Sequence, residues 1–275
     1  WNAMFDTVKL LFSYDFIVRA MIAGGLVALC CALLGVSLVL KRFSMIGDGL
    51  SHVGFGALSV AAVMNVAPLA IAVPVVIVAA FFILKLGKDS KVQSDSAIAL
   101  VSSVAIATGV TVTSLSGGLN TDVYSYMFGS ILAMSRTDVY ISVILSVIVL
   151  ILFFIFYHKI FAITFDSDFA KATGVRAEFY NMLIAVLTAL TIVVGMRIMG
   201  TMLISSLIIF PTLSAGAVVK GFRKVVIISG IVSVLCFFVG LYSSYSFNLP
   251  VGASIVLANF VVFCILMVAG KLIRK

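Results

Sequence analysis

Charge is what this sequence has least of. Of its 275 residues, 10% are Asp, Glu, Lys or Arg, 63% are hydrophobic, and the mean hydropathy is +1.31. A soluble domain is about half apolar and a quarter charged. A chain so poor in charge has too few polar groups to face water, which excludes a cytosolic enzyme, a secreted disulfide domain, a disordered chain and a free nucleic-acid binder. Proline is scarce, at 4, against 21 glycines. The alternating segments of roughly ten residues that build a transmembrane barrel are missing, and unbroken apolar runs of about twenty residues stand in their place. Cysteine is limited to Cys30, Cys31, Cys236 and Cys264, with no CxxC pair and every member inside an apolar run, so the four read as packing residues. A GxxxxGK[ST] phosphate loop is also missing. If ATP drives this protein, another polypeptide binds it. The first apolar stretch is too long for a cleavable signal and is followed by many more.

What charge there is lies in clusters. Lys41-Arg42, then Lys85, Lys88 and Lys91, then Lys159, Lys171 and Arg176, then Lys220, Arg223 and Lys224, and finally Lys271, Arg274 and Lys275 hold 14 of the 18 basic residues. The positive-inside rule puts all five clusters in the cytoplasm. Room for two crossings separates each cluster from the next. The apolar runs are 17–40, 46–65, 68–86, 97–115, 139–157, 180–196, 202–219, 225–243 and 250–270. Each can cross a hydrocarbon core of about 30 Å at ~1.5 Å per residue. The expected fold is therefore an all-α polytopic membrane protein of eight to nine spans in one domain, residues 1–275. Its N-terminus would lie outside and its C-terminus inside the cell membrane of a prokaryote. The tight connection around Gly195–Gly200 suggests that one helix of the 180–219 pair is short or broken.

Three segments are not plain spans. Residues 4–14 are amphipathic and suit the outer interface. Residues 116–138 enclose a short semi-apolar piece, 124–134, too short to cross, which reads as a re-entrant or surface helix on the outer side. Residues 158–179 are the longest polar stretch inside. Asp166, Ser167 or Asp168 can cap a helix there and Gly174 can end it, which predicts a short helix over 167–173.

Ionisable groups are costly inside a bilayer, and one span concentrates them. It begins Met-Ile-Gly-Asp-Gly-Leu-Ser-His-Val-Gly-Phe-Gly over 45–56. Asp48 and His52 are four apart and share one helix face. A helix starting near Phe43 lifts Asp48 by ~9 Å and His52 by ~15 Å above Arg42. Carboxylate and imidazole together suit a divalent transition metal. Two ligands from one helix make half a tetrahedral site, and a twofold homodimer would bring four to one axis. Ser51 and Asn65, placed along the same helix, and Phe55 are candidate pathway-lining residues. Three other readings stand beside this one: an Asp–His hydrogen bond that only packs the helix, an Asp48 sitting at a wet span end, and glycines 47, 49, 54 and 56 serving packing rather than a passage. His158 and the methionines near Arg197 are weaker candidates, and Arg197 is placed to snorkel outward.

At these residues the chain resembles the permeases of zinc/manganese/iron-type ABC importers. The likeness rests on the run Lys-Arg-Phe-Ser-Met-Ile-Gly-Asp-Gly-Leu-Ser-His-Val over 41–53. Tyr126–Ser135, Asp166–Gly174 and Gly200–Thr212 add to it in the same order and spacing. The resemblance implies a homodimeric type II importer permease that holds no permanent cofactor and passes Zn2+ or Mn2+. It implies ATP-binding cassette subunits docked in the cytoplasm at a coupling segment carrying Asp166, Asp168, Ala170 and Gly174. An extracytoplasmic metal-binding protein would deliver the ion to Asp48 and His52. Beyond itself and membrane lipid no other partner is expected, and no nucleic acid. Gly49, where alanine is common in the family, leans toward the zinc branch, so zinc ranks first and manganese next. The rival class is a proton-coupled secondary transporter using the same Asp–His pair as a relay. Internal inverted repeats would favour it, and none is visible. An intramembrane protease would need a further constellation such as HExxH, which the sequence lacks.

Overall fold

Runs of this length leave the backbone one way to satisfy its polar groups in lipid, which is to hydrogen-bond within the segment. The computed structural model describes residues 15–89, 94–116, 127, 129, 135–201 and 203–273. They form α1 (Asp15–Leu40), α2 (Met45–Val63), α3 (Pro68–Asp89), α4 (Ser94–Leu115), α5 (Arg136–Ile155), α6 (Tyr157–Phe165), α7 (Ser167–Ala172), α8 (Ala177–Met199), α9 (Ile204–Val218), α10 (Phe222–Phe247) and α11 (Val251–Ile273). Among the described residues, 8 helices are long and apolar enough to cross a membrane, and α9 is a shorter ninth apolar helix. The broken member expected in the 180–219 pair is α9. The segment 4–14 and the piece 124–134, apart from Met127 and Gly129, lie outside the described residues.

Turn chemistry sets the connections. Arg42, Asn65, Gly174 and Asn248 adopt positive φ after α1, α2, α7 and α10. At Asn65 the following amide bonds back to the Ala61 carbonyl and the Asn65 amide to that of Ala62, which closes the helix end. Asparagine tolerates this left-handed backbone better than most residues. Two of the four prolines sit where a missing N–H costs little, and two lie inside helices, Pro74 exposed in α3 and Pro211 in α9. Pro68 opens α3, Pro250 precedes α11, and Pro211 is buried inside α9.

The helices alternate in direction, so the described members of the basic clusters gather at one end of the bundle. Lys41, after α1, donates to Asn181 near the start of α8. Phe222, opening α10, stacks on Tyr157 and Phe161 of α6. A Cβ on Gly270 of α11 would meet the Ala217 carbonyl of α9. Residues 158–179 hold the short helix expected over 167–173 as α7 (Ser167–Ala172), and helix precedes it as well. The span bends at Phe156 and continues as α6, because Ile160 and Ile163 are buried against the bundle.

At the centre lie α1, α2 and α8, the most buried spans, with α4, α5 and α11 on the outside. Cys30, Cys31 and Cys236 are buried thiols, whereas Cys264 is exposed.

Candidate functional site

The first turn of α2 carries the site. Asp48 Oδ2 lies 3.5 Å from His52 Nε2, one turn further along. The side chains are 39% and 21% exposed, although α2 is otherwise buried over most of its length. A third group comes from far along the chain. Ser205 Oγ donates to Asp48 Oδ1 at 3.3 Å. Ser205 stands in the first turn of α9, just after the break at Gly200–Leu203. A side chain from the first turn of α9 therefore reaches the carboxylate.

The depth of the site follows from its neighbours. Gly54 abuts Met196 near the far end of α8. Asp48 is six residues nearer the basic end, about 9 Å lower. The break before α9 is what lets a helix terminus reach this level.

The candidate lining residues are placed differently. Ser51 is fully buried, and its hydroxyl donates to the Asp48 carbonyl of its own helix at 2.7 Å, so it turns away from the carboxylate. Phe55 is buried, with its ring against Gly109 of α4. Asn65 does not share the helix. It lies beyond Val63 in the exposed turn before α3, ~25 Å along the axis from Asp48. Its role is the left-handed turn itself. The glycines of α2 serve packing. A Cβ on Gly49 would meet Ile98 at 2.5 Å, and one on Gly56 the Ala105 carbonyl at 2.6 Å, so α2 and α4 touch backbone to backbone.

Among the described residues, no three His, Cys, Asp or Glu side chains come together as a metal-binding group. One chain thus offers a carboxylate, an imidazole and a hydroxyl. This donor set is rich in oxygen and lacks thiolate, and it fits a borderline or hard divalent cation, though three donors do not enclose one.

At the basic end, α7 follows the expected cap. Asp166 Oδ1 accepts from the amides of Asp168 and Phe169, and Gly174 ends the turn at φ +83°. Asp168 pairs with Lys171 at 3.0 Å in the open. Ala170 is completely buried and presents nothing outward, while Phe169 is 66% exposed. Helical spacing decides this. Ala170 lies over Val175 and the start of α8, and its carbonyl accepts the Val175 amide.

Arg197 does not snorkel. It is buried and pairs with Asp138 Oδ2 at 2.5 Å. The same Asp138 forms a capping box with Ser135 at the head of α5. Gly129, at φ +79°, sits against the Met199–Gly200 backbone beside this pair, with no room for a Cβ.

Among the described residues, eight helices long and apolar enough to cross a membrane, with polar side chains of α2 and α9 brought together, define a multi-pass helical membrane protein. The chain belongs to the ABC 3 transport family, whose model matches residues 13–270. It is 28% identical to the manganese import system permease protein ScaB of Streptococcus gordonii, covering 94% of this chain and 93% of that one. It is also 28% identical to the manganese transport system membrane protein MntC of Listeria monocytogenes, covering 93% and 91%. Among solved structures, PsaBC from Streptococcus pneumoniae in complex with Fab superposes with a TM-score of 0.85 at 28% identity, covering 95% of this chain and 94% of that one. The family resemblance drawn from the residues agrees with these matches.

Proposed function

We propose that this chain is the membrane permease of an ATP-driven importer for a divalent transition metal, manganese first and zinc second. One observation carries the reading. Asp48, in the first turn of α2, and His52, one turn further in, stay partly exposed on an otherwise buried helix. A carboxylate inside a spanning segment is costly, rising to ~2.5 kcal/mol or more at a helix centre on insertion scales, and a cover from outside the single chain would offset that cost. A second copy on a twofold axis supplies both the cover and the missing donors. The ion would meet Asp48, His52 and their symmetry mates in one state of the transporter. It would leave when the pairs separate, since conduction needs binding that is reversible.

Asp and His donors suit manganese and zinc alike, and the names of the two manganese relatives favour manganese. ATP hydrolysis falls to a partner, because the sequence has no phosphate loop of its own. The cytoplasmic subunits would engage the exposed side of α6 and α7, with Phe169, Asp166 and Asp168 outward and Ala170 supporting from beneath. The five basic clusters put that end in the cytoplasm, with the receptor for an extracytoplasmic metal-binding protein opposite.

Uptake of radioactive manganese by cells carrying the whole transporter tests the site. Asp48→Asn and His52→Ala should each lower uptake at least about tenfold, the loss expected when a polar metal contact worth ~1.4 kcal/mol or more is removed. The assembled complex should persist. Unchanged uptake in either variant removes that residue from the pathway. Uptake that follows a proton gradient rather than the ATPase partner would favour the relay reading of the same pair.

A further inference from the structure

At the basic end the ends of α1, α2, α3 and α8, with Ser94 at the start of α4, line an open cavity of about 650 Å³. Its lining is mainly apolar and includes Phe81 and Phe82 of α3. These rings are 47% and 59% exposed, on a span that is one of the least buried in the bundle. In a membrane that face meets lipid chains. Two lysines line the same cavity, Lys41 after α1 and Lys85 near the end of α3. Lys41 is half-buried and donates to the amide oxygen of Asn181, a neutral acceptor. Burial pushes its ammonium down to about 8. Among the described residues the one acid on the lining, Glu178, stands in the first turn of α8, where the helix dipole holds negative charge.

A soluble anion would have no use for the phenylalanine wall. A neutral lipid would have no use for the lysines. Lysine stems lie along apolar surface with their heads at the interface, and basic pockets between spanning helices take anionic head groups. The geometry points to a lipid site: an anionic phospholipid of the adjoining leaflet, its phosphate on Lys41 and Lys85 and an acyl chain along Phe81 and Phe82. This site is separate from Asp48 and independent of the transported ion. Its occupant would tie α3 to the α1–α2 turn and to α8.

Retention of lipid by the full-length chain, with its assembled subunits, tests the site. The protein is reconstituted in equimolar phosphatidylethanolamine and phosphatidylglycerol, extracted in detergent and washed, and its bound lipid is read by mass spectrometry of the intact protein. Phosphatidylglycerol should be retained over phosphatidylethanolamine by about fivefold for each lysine engaged, the ratio for ~1 kcal/mol per cation. Lys41→Gln with Lys85→Gln should erase the preference. Lys271→Gln, at the same end but off the cavity, should keep it. Equal retention of the two lipids by the wild type overturns the proposal, and so does an undiminished preference in the double variant. Displacement of the lipid by glycerol phosphate also overturns it, by showing that the free anion suffices. Should the double variant fail to fold, Lys85→Gln alone decides, because Lys85 is exposed. It should lose one lysine's share of the preference.

Discussion

Arg197 and Asp138 show how a single pair can matter away from the metal path. Their side chains are 8% and 13% exposed, and the carboxylate serves two masters, the guanidinium and the Ser135 amide. Removing one member of a buried pair leaves the other charge stranded, which costs about 3–5 kcal/mol. Arg197→Met should therefore lower the thermal unfolding midpoint in detergent markedly. Adding Asp138→Asn should recover part of the loss, because the stranded charge is gone. A flat response to Arg197→Met would mean that water reaches the carboxylate. Asp48 behaves differently. It is less enclosed, and its two neighbours, His52 and Ser205, can both yield to a cation.

Between elements, α2 and α4 approach closely in the site region. A side chain on Gly56 would collide with the Ala105 carbonyl, and backbone cannot swing aside as a flexible side chain can. Gly56→Leu should push the helices apart and destabilise by about 1–3 kcal/mol or more. Folded yield from membranes and the unfolding midpoint would both report it. Gly216 in α9 is the control, since a Cβ there meets nothing within 4 Å. Gly216→Ala should be neutral, or stabilising by about 0.5–1 kcal/mol through helix propensity. Equal damage at both positions would mean that the helix backbone, not the interhelical contact, is what glycine protects. The break between α8 and α9 is the other element-level device. It shortens α9 to 15 residues and brings its N-terminal turn beside Asp48.

For the whole molecule, the partly exposed polar pair sets the expectation of a second copy. The mass of the intact purified assembly should account for two permease chains. Cysteine placed by His52→Cys should cross-link between copies with a short bismaleimide, whereas Ile22→Cys, 55% exposed on the side of α1, should not. A single-copy assembly, or cross-linking from Ile22→Cys alone, would contradict a shared axis at Asp48. Most of the outward face of α3, α4, α5 and α11 is apolar, as a bilayer requires.

Local pattern was enough for much of this architecture. Span positions follow from run length, the basic end from the lysine clusters, and the Asp166 cap and Gly174 stop from residue types that act on their own backbone. The i,i+4 spacing brought Asp48 and His52 within reach of each other for the same reason, since a helix repeats every 3.6 residues wherever it sits. Tertiary structure decided the rest. Ser205 lies 157 residues from Asp48 and Asp138 lies 59 from Arg197, separations at which periodicity carries no information. A pair of serines opening an apolar helix after Gly200 was the only hint of the first. Whether Ala170 faces out or in, whether Ser51 turns to the site or to its own helix, and whether the α2 glycines line a passage or a contact depend on which neighbour each face meets. That is settled by packing between distant segments, where apolar faces compete for the same partners.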